Sequence, residues 1–181
     1  MHRSGTSTVA GMLYNAGINM GENFIEASKD NKKGYFEDKV ILKRNDRMLI
    51  KAGYSWDYNK EIELSRFYTP KQLWHQFIIF KRVRNLFKGN NLLAVKDPRI
   101  CILLPIWNRL FKKSFNFKNI LIVRNPMEVA LSLHRRDGID LDEGLKLWTK
   151  YNRDCIKYSP NNLLVFYDKI IINEDHELKR V

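Results

Sequence analysis

Apolar residues recur along the chain in two rhythms. At helical spacing, Val9, Met12, Leu13 and Ala16 share one face, predicting a helix over residues 6–16 with Gly17 as its left-handed stop. Val40, Ile41, Met48 and Leu49 predict a second over 38–52, ended by Gly53. A third begins with Thr69 as cap, Pro70 at the first helical position and Gln72 closing a capping box, then runs through Leu73, Trp74, Phe77 and Ile78 to Gly89. The other rhythm is short and continuous. Residues 92–95, 120–123 and 163–166 are apolar runs of four flanked by helical pattern, as expected of strands in a parallel sheet covered on both faces. Residues 177–181 have the pattern of a helix cut short. With no internal repeat and no Pro-, Gly- or Ser-rich linker, the chain is expected to form one α/β domain over 1–181.

Charge gathers where these strands end. The first run leads into Lys96-Asp97-Pro98-Arg99, the second into Arg124-Asn125-Pro126 and the third into Tyr167-Asp168-Lys169. In open α/β sheets that edge is where ligands bind. Arg3-Ser4-Gly5-Thr6-Ser7 opens the first helix: Gly5 permits close backbone approach, the first-turn N–H groups point at an anion, and Arg3, Thr6 and Ser7 add charge and donors. The same string also serves as an ordinary helix start. Asn125 caps a further helix, with Pro126 at its first position and Glu128 three residues after the cap. Ser132 lies two turns into it, where its hydroxyl can share an anion with Arg124; a solvated Arg124 at a structural turn is the alternative.

Composition narrows the ligand. The 181 residues carry 32 Lys+Arg against 20 Asp+Glu, a net charge of +12, and are 44% hydrophobic, which excludes a disordered chain and calls for an anionic partner. Cys101 and Cys155 are too few for a disulfide framework and have no C-x-x-C spacing for zinc, so a reducing, cytoplasmic setting is expected. No apolar run approaches the roughly 20 residues that span a bilayer.

The strings His2-Arg3-Ser4-Gly5-Thr6-Ser7, Lys32-Lys33-Gly34-Tyr35-Phe36-Glu37-Asp38, Val95-Lys96-Asp97-Pro98-Arg99 and Val123-Arg124-Asn125-Pro126-Met127-Glu128, continuing to Ser132-Leu133, together resemble the sulfotransferase family, particularly its bacterial-type and protein-tyrosine-like branches. The resemblance implies a three-layer α/β/α, P-loop NTPase-like domain with a mostly parallel sheet. It implies transfer of a sulfuryl group from 3′-phosphoadenosine 5′-phosphosulfate (PAPS) to an acceptor hydroxyl of a carbohydrate, lipid, small alcohol or peptide Tyr, without a metal. By the same resemblance, Arg3, Ser4, Gly5, Thr6 and Ser7 hold the 5′-phosphosulfate, Arg124 and Ser132 the 3′-phosphate, and Lys96 stabilises charge at the transferring group. Glu37 is favoured as the general base over Glu22, which stands after Gly21 at the spacing of the base-bearing segment in other branches. At both ends the chain departs from the pattern: a strand ordinarily precedes the Arg-Ser-Gly-Thr-Ser loop, and a further segment completes the nucleotide pocket, so the domain is expected to be incomplete.

Two other classes compete. A kinase would use the same loop on a nucleoside triphosphate, although G-x-x-x-x-G-K-[ST] is absent. A basic module would bind nucleic acid or another polyanion with steep salt dependence; the interleaved Phe111, Phe115, Phe117 and Lys112, Lys113, Lys118 have that look, but a solvated loop is expected there. His134 is expected at the surface rather than in catalysis. Lys81, Arg82, Arg84 and Lys88 are expected on a wet helix face, Trp56 and Tyr58 are candidates for an acceptor pocket, and Trp74, Trp107 and Trp148 are expected in the core.

Overall fold

Capping chemistry sets where the helices begin. In the computed structural model, which describes all residues except 28–30, 32–33, 160–161 and 181, α1 is Thr6–Asn15, α2 Lys39–Lys51, α3 Pro70–Phe87 and α4 Ile100–Phe111. Strand β1 (Ile120–Val123) is followed by α5 (Pro126–Asp137), α6 (Leu141–Tyr158), β2 (Leu163–Phe166), α7 (Tyr167–Ile172) and α8 (Glu174–Arg180). The Asp38 carboxylate accepts from the N–H groups of Val40 and Ile41, both at 3.0 Å, and Asn125 accepts from Met127 N at 2.9 Å. These side chains satisfy donors that a helix start leaves open.

β1 and β2 pair in parallel, Ile120 opposite Leu163 and Val123 opposite Phe166, with α5 and α6 forming the crossover between them. The period-2 alternation of a strand divides β1 between two cores. Ile120 and Ile122 pack with α1 residues Val9, Met12 and Leu13, while Leu121 and Val123 pack with Leu104 of α4 and Cys155 of α6. A larger apolar cluster, including Ile41, Met48, Leu49, Ile79, Leu103, Ile106, Leu133 and Tyr151, joins α2 to α6. The chain is thus an α/β protein with helices on both sides of a small parallel sheet.

Several expectations need correction. Residues 92–95 do not form a strand: the segment makes one parallel bridge, Asn19 with Leu93, with Ala94 N donating to Asn19 O at 2.8 Å. It is extended all the same, sending Leu93 and Val95 into the larger cluster and Ala94 into the α1 cluster. Burial on two sides gives such a run its apolar character without a hydrogen-bonded ladder, so the sheet has two strands among the described residues.

Helix α3 is rotated from its expected face. Leu73, Trp74 and Phe77 are exposed, Trp74 at 59%, whereas Gln72, His75, Gln76, Ile79 and Val83 are buried. Gln72 does not close a capping box; its Nε2 donates to Met48 O at 2.9 Å, and Gln76 Nε2 donates to Phe67 O at 2.6 Å. Each amide nitrogen satisfies a carbonyl of a neighbouring segment; Gln76 Oε1 also accepts from Arg109 Nη2, whereas Gln72 Oε1 has no partner. Arg82 leaves the wet face to pair with the buried Asp38 at 2.6 Å, while Lys81, Arg84 and Lys88 are exposed. Trp107 is buried and Trp148 packs against the larger cluster. Phe111, Phe115 and Phe117 also turn into that cluster, leaving Lys112, Lys113 and Lys118 in solvent.

Candidate functional site

The loop before α1 is shaped by two left-handed residues, Arg3 at φ 62° and Gly5 at φ 84°. Gly5 is the N-terminal cap of α1, its carbonyl accepting from Thr8 N at 3.0 Å and Val9 N at 3.2 Å. A Cβ on Gly5 would lie 2.0 Å from Cδ2 of Tyr167, so both the dihedral and the space require glycine there. Beyond this turn opens a cleft of about 520 Å³. Arg3, Gly5, Thr6 and Ser7 line it, together with Glu37, Lys96 and Arg124. Four segments far apart in sequence therefore bring their charged residues to one hollow.

Arg3, Arg124 and Ser132 form one cluster. Arg3 Nε donates to Ser132 Oγ at 2.8 Å, and Arg124 Nη1 donates to Arg3 O at 3.1 Å. The spacing of Arg124 and Ser132 suggested that these two share a site; the structure inserts Arg3 between them. Arg124 is held from several directions. Its guanidinium lies 4.6 Å from the Tyr167 ring centre, its Nε donates to Glu128 at 2.8 Å, and its carbonyl accepts from Trp148 Nε1 at 3.0 Å. Glu128 thus pairs with Arg124 rather than closing the capping box.

A second cluster surrounds Lys96. Its Nζ donates to Glu37 Oε1 and, at 3.2 Å, to Ser7 Oγ. Ser7 Oγ also accepts from Asn31 Nδ2 at 3.0 Å. The Lys96–Glu37 pair is largely shielded, with side-chain exposures of 11% and 7%. Burial raises the Glu37 carboxyl above the ordinary carboxylate value against the pull of Lys96, and burial lowers the Lys96 ammonium although Glu37 opposes it.

Behind Lys96 the chain is braced by a buried network. Asp97 accepts from Asn45 Nδ2 at 2.9 Å, from Arg99 N at 2.9 Å and from Arg99 Nη1 at 3.1 Å, while Trp107 Nε1 donates to Asn45 Oδ1 at 3.1 Å. Asp97 of the Lys-Asp-Pro-Arg string therefore has its carboxylate committed inward, while Lys96, Pro98 and Arg99 line the cleft.

Other expected residues sit differently. Ser4 is 1% exposed and outside the cleft lining, and its hydroxyl has no hydrogen-bond partner. Glu22 is exposed and also outside the lining, so of the two glutamates only Glu37 meets the cleft. Lys32 and Lys33 lie outside the described residues. Tyr58 packs on Tyr54 with ring centres 4.9 Å apart, whereas Trp56 lines the cleft. His134 is exposed, with Nδ1 2.9 Å from Ile139 O.

Sequence reasoning assigned no role to His2, Tyr35 and Arg136, which also line the cleft, as does Tyr167 at the strand edge expected to meet a ligand. His2 and Tyr35 were within reach as neighbours of Arg3 and Glu37; Arg136 carried no spacing signal. The lining includes Arg3, Lys96, Arg99, Arg124 and Arg136 against Glu37 and Asp137, a surplus suited to an anion with several charges. No group of three or more His, Cys, Asp or Glu able to hold a metal occurs among the described residues, and no helix there is long and apolar enough to cross a membrane. No protein-family model, curated protein or solved structure matches the chain.

Proposed function

We propose that the protein is a sulfotransferase with a P-loop NTPase-like nucleotide site, moving a sulfuryl group from PAPS to an acceptor hydroxyl. The observation that carries this reading is the convergence of the Arg3–Ser7 loop, Lys96 with Glu37, and Arg124 on one cationic cleft, with Ser132 outside its lining but bonded to Arg3. Arg3 of the loop and Arg124 of the strand end stand side by side and offer two guanidinium groups to a nucleotide that carries several anionic groups.

PAPS supplies the transferable sulfuryl group and a stable leaving phosphate. The chain's residues do the rest. Arg3, with the first-turn N–H groups of Thr6 and Ser7, binds the 5′ end. Arg124 and Ser132 bind the 3′-phosphate. In the transfer, a bond forms from the acceptor oxygen to sulfur and the bond from sulfur to the 5′-phosphate oxygen breaks, the electron pair leaving with that phosphate. Negative charge spreads over the sulfuryl and bridging oxygens, and Lys96 meets it as a fixed, partly desolvated cation. Glu37 takes the proton of the attacking hydroxyl, a role helped by its raised carboxyl.

The decisive measurement is thermal unfolding with 3′-phosphoadenosine 5′-phosphate (PAP). A ligand at about 100 times its Kd stabilises by about 2.7 kcal/mol, so PAP should raise Tm by several degrees in the presence of EDTA. Stabilisation by ATP with Mg²⁺ but not by PAP would replace this reading with a kinase. Binding to DNA that falls steeply with salt, without a preference for PAP, would replace it with a polyanion module.

A further inference from the structure

His2 stands in the cleft wall beside Arg3, yet neither nucleotide anchor uses it. Its Nε2 is buried and has no hydrogen-bond partner. Such an orphan costs about 1–3 kcal/mol, so a group that completes it is expected when the cleft fills. The ring is fixed by packing: its centre lies 4.6 Å from that of Trp56 and 6.1 Å from that of Tyr151. The backing is itself held, since Tyr151 Oη donates to Trp56 O at 2.6 Å.

The surroundings specify the ligand atom. Burial, and after it the positive charges of Arg99, the Met1 amino group, Arg136 and Lys96, hold the imidazole well below its ordinary pKa. The ring is therefore neutral near pH 7, one nitrogen donating and the other accepting according to tautomer. A hydroxyl both donates and accepts, so it completes Nε2 in either case. An anion, which only accepts, is better served by the arginines. Around this nitrogen, Trp56 offers aromatic surface, and Arg136, 5.7 Å from the Trp56 ring centre, pairs with Asp137 at 2.7 Å. An aromatic surface beside planar polar side chains suits a ring with an apolar face and a rim of hydroxyls, which is the chemistry of a pyranose.

We propose that the acceptor is a glycoside seated against Trp56, and that His2 Nε2 hydrogen-bonds one of its hydroxyls as a positioning contact. The proposal rests on the sulfuryl-transfer reading, with Glu37 remaining the proton acceptor.

The test uses radiolabelled PAPS with 4-nitrophenyl β-D-glucopyranoside and, separately, 4-nitrophenol as acceptors. Wild type, His2→Phe and His2→Gln are compared, and the PAP melting shift is recorded for each. The glycoside is expected to be sulfated. His2→Phe keeps a ring against Trp56 but no nitrogen, and should raise the glycoside KM about tenfold with kcat within about threefold, the scale of one hydrogen bond between uncharged groups. His2→Gln, which returns an amide near the Nε2 position, should bring KM back to within about threefold of wild type, and the PAP shift should be equal in all three. An intact PAP shift with no glycoside sulfation, with sulfation of 4-nitrophenol alone, or with a glycoside KM that His2→Phe leaves unchanged overturns the His2 site while the nucleotide reading stands. A wild type with neither PAP shift nor transfer overturns the nucleotide reading and this proposal together.

Discussion

The two sides of the molecule differ in how their buried polar side chains are tied down. In the helical side, from α2 to α6, each of these makes at least one hydrogen bond within the fold: Gln72 to Met48 O, Gln76 to Phe67 O, Asn45 to Asp97, Lys150 to Asp154 and Asn152 to Trp148 O, although Gln72 Oε1 and Asn152 Oδ1 are left without a partner. The loop before α1 is different. The Ser4 hydroxyl and His2 Nε2 are buried without a partner, and the nearby cations outnumber the acids. Hydrogen bonds made within the fold stabilise it, whereas an open group on a cleft-lining residue such as His2 remains for a ligand. The contrast separates the part of the chain that holds shape from the part suited to chemistry.

The largest effect that tests this division is on turnover. Glu37→Gln should lower kcat by about 10²–10⁴-fold, the range for loss of a positioned base, while the PAP melting shift persists. An active Glu37→Gln enzyme would move the base elsewhere. Next comes the helical side. Leu103, fully buried, should cost about 2–5 kcal/mol as Leu103→Ala in urea unfolding, with PAP affinity unchanged in the fraction that remains folded. If PAP affinity falls in parallel, the two sides are coupled and the division fails.

Asp38→Ala should cost about 1–2 kcal/mol through loss of the α2 cap, and it leaves Arg82 without its buried partner. Because Asp38 follows Glu37 directly, turnover should fall too, though less than for Glu37→Gln. The pH dependence is a finer probe. A folded-state carboxyl raised above its unfolded value binds more protons in the native protein across that interval, so Glu37's contribution to stability declines as pH rises through it. Turnover should rise over the same interval as the base ionises. The acidic limb of kcat/KM is therefore expected above the ordinary carboxylate range, and Glu37→Gln should remove both dependences. Smallest of all, Trp74→Ser should change stability by less than about 0.5 kcal/mol, because that indole is mainly in solvent. A larger loss would restore Trp74 to the core.

What the chain reveals without its structure follows from how local each signal is. The starts of α3 and α5 were legible because Thr69 and Asn125 act on N–H groups two or three residues away. The runs Ile120–Val123 and Leu163–Phe166 were legible as strands because four consecutive apolar residues suit a position covered from both sides. The run at 92–95 has the same composition but only one bridge, since a ladder depends on a neighbour that the run does not encode. The inward face of α3 was hidden for a related reason: Gln72 and Gln76 are buried only because carbonyls from Met48 and Phe67 reach them.

By itself, then, the sequence determined helix starts, two strands and a set of charged strings at strand ends, all consequences of neighbouring residues. Tertiary structure decided which of those strings meet. It set Arg3 between Arg124 and Ser132, joined Lys96 to Glu37 across 59 residues, left Glu22 outside the cleft, and brought His2 to Trp56 with one nitrogen unpaired. A hydrogen bond or an ion pair forms wherever packing brings its partners within reach, and sequence distance places no limit on that.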